Sequence, residues 1–264
     1  MTETDPDVIA YYERGREARR LTDMCVLERV RTEALLHRYL PPPPATVLDV
    51  GGGPGLYASW LADSGYAVRL IDPVPLHIEQ ATELAHGRFV AELGDARHRS
   101  APSSSADAVL LLGPLYHLPE AADRRAVLRE ARRVCRAGGQ VIAAAISHWA
   151  GLFDLVDRGA LDADQLRRWW SLVEETGGQR ASDSPWFTTA YFHRTSELRQ
   201  EFADAGLTDV QVVGVEGIGG LLPDQTERMA DPGQREVLLE AAAITEGESE
   251  LAGLSPHLLA VGRR

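Results

Sequence analysis

The sequence predicts an α/β fold built around a mostly parallel β-sheet, and three observations support this prediction. First, short apolar runs alternate with helical segments of about ten residues along residues 45–146, which is the pattern of βαβ units. Second, one of these runs, Ala106–Leu112, is apolar almost throughout, as expected for a strand buried on both faces. Third, 264 residues with 44% hydrophobic content can bury the core of one large α/β domain.

The first predicted element is helical and covers residues 6–40, where apolar side chains recur at the spacing of a helix face. Pro41–Pro44 end it, because proline lacks an N–H group and clashes inside a helix. Strands and helices then alternate. The predicted strands are Thr46–Val50, Ala67–Ile71, Phe89–Leu93, Ala106–Leu112 and Gln140–Ile146. The predicted helices between them are Leu56–Ser64, Leu76–His86 and Glu120–Arg136.

The alternation breaks after Ser147. Residues 148–194 are helical only in part and concentrate the tryptophans, so we expect an insertion that forms a lid over the edge of the sheet. The fold then resumes. Its later predicted elements are a helix at Ser196–Ala205 capped by Thr195, a strand at Asp209–Val215, a second insertion at Glu216–Ser255 with a helix near Arg235–Ile244, and a last strand at His257–Gly262.

Composition argues against several classes of protein. The formal net charge of −12 predicts an acidic surface that repels phosphate backbones, so we expect no nucleic-acid partner. No apolar stretch approaches the ~18 residues that cross a bilayer, and the charged N-terminus is unlike a signal peptide. We therefore expect a cytoplasmic protein without a membrane partner. Cys25 and Cys135 stand alone, which fits a reducing compartment, and no His, Cys, Asp or Glu set has convincing metal-ligand spacing.

The strongest chemical signal is the segment from Val47 to Gly55, VLDVGGGPG, which follows a strand and precedes a helix. Glycines allow a ligand to approach the backbone, and the helix N-terminus offers free N–H groups. A dinucleotide site would need a third glycine where Leu56 stands, and no phosphate-loop motif is present. The loop therefore predicts a nucleoside ligand without a pyrophosphate.

Two aspartates follow the next strands. Asp72 ends the second strand about twenty residues after the loop, where a carboxylate can accept hydrogen bonds from ribose hydroxyls. Asp95 follows the third strand and can accept from an adenine amino group. The alternatives are a helix-capping role for Asp72 and a simple turn role for Asp95. Carboxyl ends of adjacent parallel strands are where open α/β sheets bind ligands.

In order and spacing, five motifs resemble those of class I S-adenosylmethionine (SAM)-dependent methyltransferases. They are VLDVGGGPG, LIDP, GDA, ADAVLLLGPLYHL and EARRVCRAGGQVIAA. The sequence is most similar to actinobacterial small-molecule methyltransferases of natural-product pathways, over residues 45–146 and less over the final strands. The resemblance implies a Rossmann-like, seven-stranded sheet whose last strand is antiparallel. We expect a single domain, with an N-terminal helical cap (1–44), a SAM-binding core (45–147), the lid insertion (148–194) and C-terminal core strands with a second insertion (195–264).

The resemblance also implies which residues contact SAM. Those expected at the cofactor are Gly51, Gly53 and Gly55 at its methionine end, Asp72 with Pro73 at the ribose, Asp95 with Ala96 at the adenine, Leu112 and Gly113 beside the methionine, and Asp49 ordering the glycine loop. Tyrosines in the N-terminal helix of related enzymes close over SAM, which assigns Tyr11 to the cofactor. Arg31 could pair with the methionine carboxylate through its planar guanidinium. Ordinary helix packing and a solvated helix face are the alternatives.

His117 is the candidate catalytic residue, because a histidine can take a proton near neutral pH and the loop after the fourth strand faces the acceptor in this family. The alternative is a structural histidine under the lid. The candidate acceptor-site residues are Tyr12, Tyr116, Trp149, Tyr191 and His193, and Trp169 and Trp186 could also bury a flat acceptor. The small core of the lid would explain the tryptophans equally well.

The predicted function is methyl transfer from SAM to an O, N or C nucleophile of a small molecule. Two insertions over the site suggest an enclosed acceptor. The alternatives are a SAM-fold enzyme with different chemistry and a non-catalytic SAM-binding module. We expect a monomer or a homodimer.

Overall fold

The computed structural model describes residues 4–98, 101–183 and 187–264. The described helices are α1 (Pro6–Tyr12), α2 (Glu17–Arg19), α3 (Val26–Tyr39), α4 (Leu56–Asp63), α5 (Pro75–Ala85), α6 (Ala121–Val134), α7 (Ala150–Asp157), α8 (Ala163–Thr176), α9 (Thr195–Asp204), α10 (Gln225–Ala230) and α11 (Pro232–Thr245). The described strands are β1 (Thr46–Val50), β2 (Ala67–Asp72), β3 (Val90–Leu93), β4 (Ala106–Leu111), β5 (Cys135–Ser147), β6 (Gly178–Gln179), β7 (Ala190–His193), β8 (Thr208–Gly214) and β9 (His257–Arg263).

The central sheet has the order β3-β2-β1-β4-β5, and all four of these pairings are parallel. β9 then pairs with β5 in the antiparallel sense, and β8 pairs with β9. These are the seven strands that the sequence predicts, with the last strand antiparallel. The expected Rossmann-like α/β fold is therefore confirmed. Because β1 and β4 are neighbours and parallel, the loops that follow them meet at one edge of the sheet.

Helices cover both faces of the sheet. On one face α4 and α5 and the C-terminal half of α3 bury Leu36, Leu61 and Leu70. On the other face α6 and α9 bury residues such as Leu128 and Phe202. This three-layer arrangement explains why β4 is apolar almost throughout, since each of its faces packs against helices.

The segment 148–194 is not only a helical lid. Besides α7 and α8, it contains β7, which extends the sheet by pairing in parallel with the end of β5, at Ile146 with Phe192. β6 pairs with β7 in turn. Apolar side chains of α7, α8 and β7 form a separate small core that includes Leu155 and Trp169. The insertion is therefore anchored to the sheet by backbone hydrogen bonds.

Two other expectations need correction. The continuous helix expected over residues 6–40 is interrupted, because Gly15 adopts a φ of +72° after α1 and a π-helical turn at Arg20–Met24 separates α2 from α3. The second insertion, expected to roof the site, packs α10 and α11 against α3 through Leu27, Met229 and Leu238 instead. No residue of 216–255, all of which the structure describes, lines either of the two cavities described below.

Candidate functional site

Two cavities lie at the carboxyl edge of the parallel strands. The first cavity is lined by the loops after β1, β2, β3 and β4 and by the N-terminal helices. Most of the predicted cofactor residues line it, namely Asp49, Gly51, Gly53, Asp72, Pro73, Asp95, Ala96, Leu112 and Gly113. Tyr12, Tyr116 and His117 line it as well.

The glycine loop leaves its backbone open to this cavity. Gly51 and Gly53 have φ values of +70° and +57°, in the left-handed region that favours glycine. A Cβ atom at Gly51 would approach Pro114 to 2.7 Å, whereas one at Gly53 would meet no atom within 4 Å. Gly55, also left-handed, is the residue before α4 and supports the loop from outside the cavity. The loop therefore forms a cradle that side chains would fill.

Asp49 is a buried carboxylate without a protein partner among the described residues, because neither of its side-chain oxygens has a hydrogen bond. Burial, with the charge of Asp72 as the second cause, raises the pKa of Asp49 to about 7. A buried carboxylate without donors is costly, so a cationic or hydrogen-bonding ligand group nearby would stabilise it. This is one sign that the cavity fits a ligand with an ammonium group, as SAM has.

Asp72 organises the loops around it. Its Oδ2 accepts a hydrogen bond from the Gly53 N–H at 2.9 Å, and its Oδ1 accepts from the Val74 N–H at 2.9 Å. The imidazole of His77 lies against Oδ1, with Nδ1 at 3.0 Å. Asp72 thus closes a turn before α5 but does not cap the helix, whose N-cap residue is Val74 without a side-chain cap bond, and the same carboxylate also lines the cavity. A carboxylate has about four acceptor positions, which leaves one for a ligand hydroxyl.

Asp95 is more fully engaged than Asp72. Its carboxylate accepts from the Arg97 backbone and side chain and from the Thr4 hydroxyl. Burial works to raise its pKa, but the hydrogen bonds from Arg97 and Thr4 outweigh burial and hold the pKa at about 2. With about four acceptor positions on a carboxylate, these contacts occupy all of them. A direct bond from Asp95 to an adenine amino group would therefore require Thr4 or Arg97 to move.

Tyr12 and His117 are hydrogen-bonded to each other in the lining of the first cavity. His117 Nδ1 lies 2.9 Å from the Thr189 carbonyl oxygen, so Nδ1 carries the proton, and Nε2 accepts from the Tyr12 hydroxyl at 2.7 Å. Burial is the largest influence on His117 and lowers its pKa to about 4. Burial also raises the pKa of Tyr12 well above its usual value. Both groups are therefore neutral near pH 7.

The second cavity, of about 1270 Å³, lies beside the first and is covered by the insertion 148–194. Its lining is mixed. The apolar and aromatic lining residues include Tyr11, Ile146, Leu155, Trp169, Phe187 and Phe192, and charged residues such as Arg16, Arg168 and Glu175 line it as well. Three residues line both cavities, namely Tyr12, Glu17 and Arg20. The two cavities are therefore neighbours that share a wall formed by the N-terminal segment.

Sequence reasoning missed the charged part of that wall. Arg20 donates to Glu17 at 2.9 Å and to Glu28 at 2.5 Å. Glu28 lies near His257, whose Nδ1 is 2.5 Å from Glu216. Burial works to lower the pKa of His257, but the two glutamates outweigh it and raise the pKa to about 9.

Glu28, Glu216 and His257 are the one set of potential metal ligands that the fold brings together within the described ranges. Arg20 and the imidazolium already partner the carboxylates, so the arrangement is an ion-pair network. Its members lie far apart in the sequence, and their spacing therefore indicated nothing.

Several predicted site residues lie elsewhere. Arg31 lines neither cavity; it is buried, pairs with Glu246 and donates to the Val215 carbonyl at 3.0 Å. Arg20, not Arg31, is the arginine of the N-terminal segment that lines the first cavity. Tyr11 lines the second cavity and not the first, where a cofactor contact was expected.

Three residues expected at the acceptor, Trp149, Tyr191 and His193, line neither cavity. Trp149 stacks on Trp170 with ring centroids 6.2 Å apart. The Tyr191 ring packs under the Arg124 guanidinium at 3.6 Å. His193 is fully buried and lies 3.4 Å from Glu201. Trp149 thus packs within the insertion, whereas Tyr191 and His193 join it to α6 and α9. Trp186 lies outside the described residues.

His77 is a further residue that the sequence analysis did not single out. It lies on α5, lines the first cavity and is 3% exposed. Its Nε2 has no hydrogen-bond partner in the described part of the chain. The available signal was a histidine five positions after an aspartate at a strand end, which a helix start can bring together.

Within the described ranges, no helix is both long and apolar enough to cross a membrane.

Comparison with known proteins identifies the family of this core. Residues 48–143 match the family described as "Methyltransferase domain". No curated protein sequence matches the chain. Among solved structures, a SAM-dependent methyltransferase from Thermotoga maritima has a TM-score of 0.62 at 17% identity, covering 97% of this chain and 98% of the other. A Haloferax volcanii methyltransferase, solved in complex with the Trm112 methyltransferase activator, has a TM-score of 0.62 at 18% identity over 97% of each chain.

The structure is also similar to the cyclase SpnF, with a TM-score of 0.57 at 18% identity, covering 90% of this chain and 80% of the other. At such identities the structural likeness shows the fold alone, whereas the family match and the glycine-loop cavity concern the same residues. Residues 48–143 therefore match a methyltransferase domain, the fold around them is one that occurs in SAM-dependent methyltransferases, and S-adenosylmethionine is the cofactor of this enzyme activity.

Proposed function

We propose that the chain transfers the methyl group of SAM to an oxygen, nitrogen or carbon nucleophile of a small molecule bound in the second cavity. One observation carries this proposal: the two cavities adjoin and share Tyr12, Glu17 and Arg20 as lining residues. A cofactor in the first cavity and an acceptor in the second would thus meet at a common wall.

The first cavity suits SAM by the chemistry of its residues. The open backbone at Gly53 and the remaining acceptor position of Asp72 would hold the cofactor, and the unpartnered Asp49 would face its positive charge. When bound, SAM supplies an activated methyl group on a sulfonium. The protein's part is then mainly to position the acceptor and exclude water.

The second cavity suits a sizeable, partly aromatic acceptor. Its volume of about 1270 Å³ exceeds the roughly 300–1,000 Å³ of most ligand pockets. Aromatic side chains such as Trp169 and Phe187 offer flat apolar contact. The size of the cavity and these aromatic contacts, beside charged lining residues such as Arg168, support a sizeable small molecule with apolar and polar groups, such as a secondary metabolite, as the acceptor.

Tyr12 and His117 lie where the acceptor nucleophile would approach the methyl group. With its pKa lowered to about 4, His117 is a poor base near pH 7. Its hydrogen bond to Tyr12 instead holds the tyrosine hydroxyl in a fixed direction. The pair therefore serves to orient the acceptor, and His117 takes up a proton only if the acceptor itself is a strong acid.

One observation favours a second candidate function, which is non-methylation chemistry on a SAM-binding fold. The likeness to the cyclase SpnF shows that this fold also occurs in an enzyme named for cyclisation.

We propose that the protein is a monomer or a homodimer in the cytoplasm. The Haloferax volcanii relative in complex with an activator is a precedent for a protein partner.

A cavity-filling variant tests the proposal. Ala150 lines the second cavity and not the first, so Ala150→Phe should leave SAM affinity unchanged and strongly reduce release of S-adenosylhomocysteine with a library of small-molecule acceptors. Ala122→Phe, at an exposed position on α6, is the matched control. Full turnover in Ala150→Phe would show that the second cavity does not hold the acceptor.

A further inference from the structure

A histidine at the start of β9 lies at the edge of the sheet where the two cavities are found. β9 runs antiparallel to β5, so its first residue, His257, is opposite Ile146 near the carboxyl end of β5. Both residues line the second cavity. The topology therefore places His257 where the proposed acceptor would lie.

Glu216 holds one side of the His257 ring. Its buried carboxylate lies 2.5 Å from His257 Nδ1, and it also accepts from the His257 backbone N–H at 3.1 Å and from the Ser255 hydroxyl at 2.7 Å. A carboxylate can only accept, so Nδ1 carries a proton. Because these contacts fix the ring, they also fix the direction of its other nitrogen, Nε2.

The Nε2 atom of His257 is available to a ligand. It has no hydrogen-bond partner in the described part of the chain. It is not sealed in the interior either, because the side chain is 26% exposed. His257 lines the second cavity and not the first. A molecule in the second cavity can therefore reach this nitrogen.

The charges around His257 determine what Nε2 can bind. Glu28 Oε2 lies 3.8 Å from Nδ1 and accepts from Arg20 at 2.5 Å. Burial and the charge of Arg20 work to lower the pKa of His257, but Glu28 and Glu216 outweigh them and raise it to about 9. The ring is therefore an imidazolium near pH 7, and Nε2 is a donor. Arg20 also pairs with Glu17. Three carboxylates thus surround two cations, which favours a neutral oxygen over an anionic one at Nε2.

We propose that the Nε2–H group of His257 donates a hydrogen bond to a neutral carbonyl or hydroxyl oxygen of the acceptor. This inference rests on the proposed function, because it names a chemical class for the small molecule in the second cavity. Arg20 lines both cavities and shares the Glu28 carboxylate with His257. An oxygen bound at Nε2 would therefore anchor the acceptor close to the wall that the two cavities share.

Binding of three bicyclic compounds in the presence of S-adenosylhomocysteine tests this inference. 1-Tetralone has a neutral carbonyl oxygen, tetralin lacks it, and 2-naphthoate carries a carboxylate. We expect 1-tetralone to bind about tenfold more tightly than tetralin. This preference should persist to about pH 8 and disappear as the pH rises past about 9, because Nε2 then loses its proton. Burial raises the pKa of the Cys25 thiol, which also lines this cavity, to about 11, so the thiol titrates later.

Two variants and a matched control separate a direct contact from a structural role. His257→Leu should abolish the preference for 1-tetralone. His257→Gln supplies an amide donor and should restore part of the preference without its dependence on pH. His37→Leu, at an exposed position on α3, should change nothing.

¹⁵N NMR of the unaltered protein needs no variant. The Nε2 resonance of His257 should shift with 1-tetralone and stay unchanged with tetralin. A larger shift with 2-naphthoate than with 1-tetralone would overturn the assignment to a neutral oxygen.

The remaining outcomes are also decisive. Equal affinity for 1-tetralone and tetralin below pH 8, with both weakened by Ala150→Phe, would overturn the role of His257 while leaving the second cavity as the acceptor site. A preference that grows as the pH rises past about 9 would show that Nε2 accepts a proton rather than donates one, and would overturn the inference as well. Binding that Ala150→Phe leaves unchanged, or no binding of any of the three compounds, would count against both proposals.

Discussion

His117 donates through Nδ1 to the Thr189 carbonyl oxygen and accepts through Nε2 from the Tyr12 hydroxyl. Position alone suggests a general base with an ordinary histidine pKa. The neighbours change that expectation, because burial lowers the pKa to about 4 and Nε2 is already engaged. At the scale of the residue, hydrogen-bond partners decide between roles that sequence position leaves open.

The first prediction separates an orienting His117 from a base. His117→Gln should retain turnover within about tenfold, because an amide can still accept from Tyr12. A lost general base would cost about 10²–10⁴-fold. The pH–rate profile should show no inflection near pH 6.5 that arises from titration of His117. Combining Tyr12→Phe with His117→Gln should be less damaging than the product of the single effects, because the two side chains act as one unit. Steady-state kinetics of the four proteins measure this, and a rate that rises through pH 6.5 and disappears in His117→Gln would contradict it.

The second prediction concerns Asp49. Its pKa is about 7 in the folded protein and 3.8 as the ordinary value, so the unfolded chain releases this proton first. Because the pKa of Asp49 is raised in the folded protein, its contribution to the free energy of unfolding is fully present below about pH 4 and is lost as the pH rises towards 7. Asp49→Asn should therefore raise the free energy of unfolding at pH 8 by about 1–3 kcal/mol.

The same substitution should weaken SAM binding, because the charge that faces the cofactor is gone. Denaturation at pH 5 and pH 8 with parallel calorimetry checks both effects. A variant that is equally stabilised at both values, or that binds SAM normally, would show that Asp49 is not a strained buried carboxylate serving the ligand.

At the scale of the element, α1 is joined to the rest of the site by a few polar contacts. Tyr12 bonds to His117, the Thr188 hydroxyl bonds to the Asp7 carbonyl at 3.2 Å, and the Thr4 hydroxyl bonds to Asp95 at 2.6 Å. Only Val8 is buried within α1. A helix of this kind opens more readily than the sheet, since few apolar contacts hold it.

The third prediction follows from these contacts. Amide hydrogens of α1 and of α7 and α8 should exchange faster than those of β4 and β5, and should become protected when S-adenosylhomocysteine binds. Hydrogen exchange followed by mass spectrometry resolves these segments, and β4 serves as the internal control. Equal, high protection with and without the ligand would mean that the N-terminal segment and the insertion are fixed parts of the core.

The elements also show what a sequence can predict. β1, β2 and β4 begin and end within one residue of their predicted bounds, because each is a short apolar run between turn signals. β7 could not be predicted, since a four-residue strand depends on its partner β5. The break after α1 was missed because Gly15 lies inside a helical pattern, where isolated glycines are often tolerated.

The same distinction applies to the site. Gly51, Gly53 and Asp72 could be placed because they follow strands directly, and strand ends meet at one edge of a parallel sheet. Arg31 and Tyr191 could not, because the partner of each depends on how distant segments pack. His77 was overlooked because its contact with Asp72 and its unpartnered ring nitrogen are visible only in the folded chain.

At the scale of the whole molecule, the N-terminal cap is tied to the C-terminal part by buried charge. Arg31 and Arg38 of α3 both pair with Glu246, just after α11, and Arg31 also donates to Val215 after β8. A buried ion pair contributes little net stability, but removing one partner leaves a charge without compensation. The network therefore holds the cap in register with the sheet.

The fourth prediction uses this network. Arg31→Met should lower the free energy of unfolding by about 1–3 kcal/mol, because the buried Val215 carbonyl loses its donor and Glu246 keeps only the half-exposed Arg38 as a partner. SAM affinity at a temperature where the variant is folded should stay within about twofold, since Arg31 lines neither cavity. Arg129→Met, exposed on α6, is the control. If Arg31→Met instead bound SAM poorly while remaining stable, Arg31 would be a ligand for the methionine carboxylate after all.

In the proposed reaction, a methyl group passes from SAM in the first cavity to a small molecule in the second. The most direct measurement is to supply SAM with an isotopically labelled methyl group together with a low-molecular-mass extract or acceptor library, and to follow the label by mass spectrometry. We expect the label in a low-molecular-mass product formed in equal amount with S-adenosylhomocysteine, and its loss in Ala150→Phe. A product formed without label, with SAM left unconsumed, would contradict the claim and assign the chain to the non-methylating enzymes of this fold.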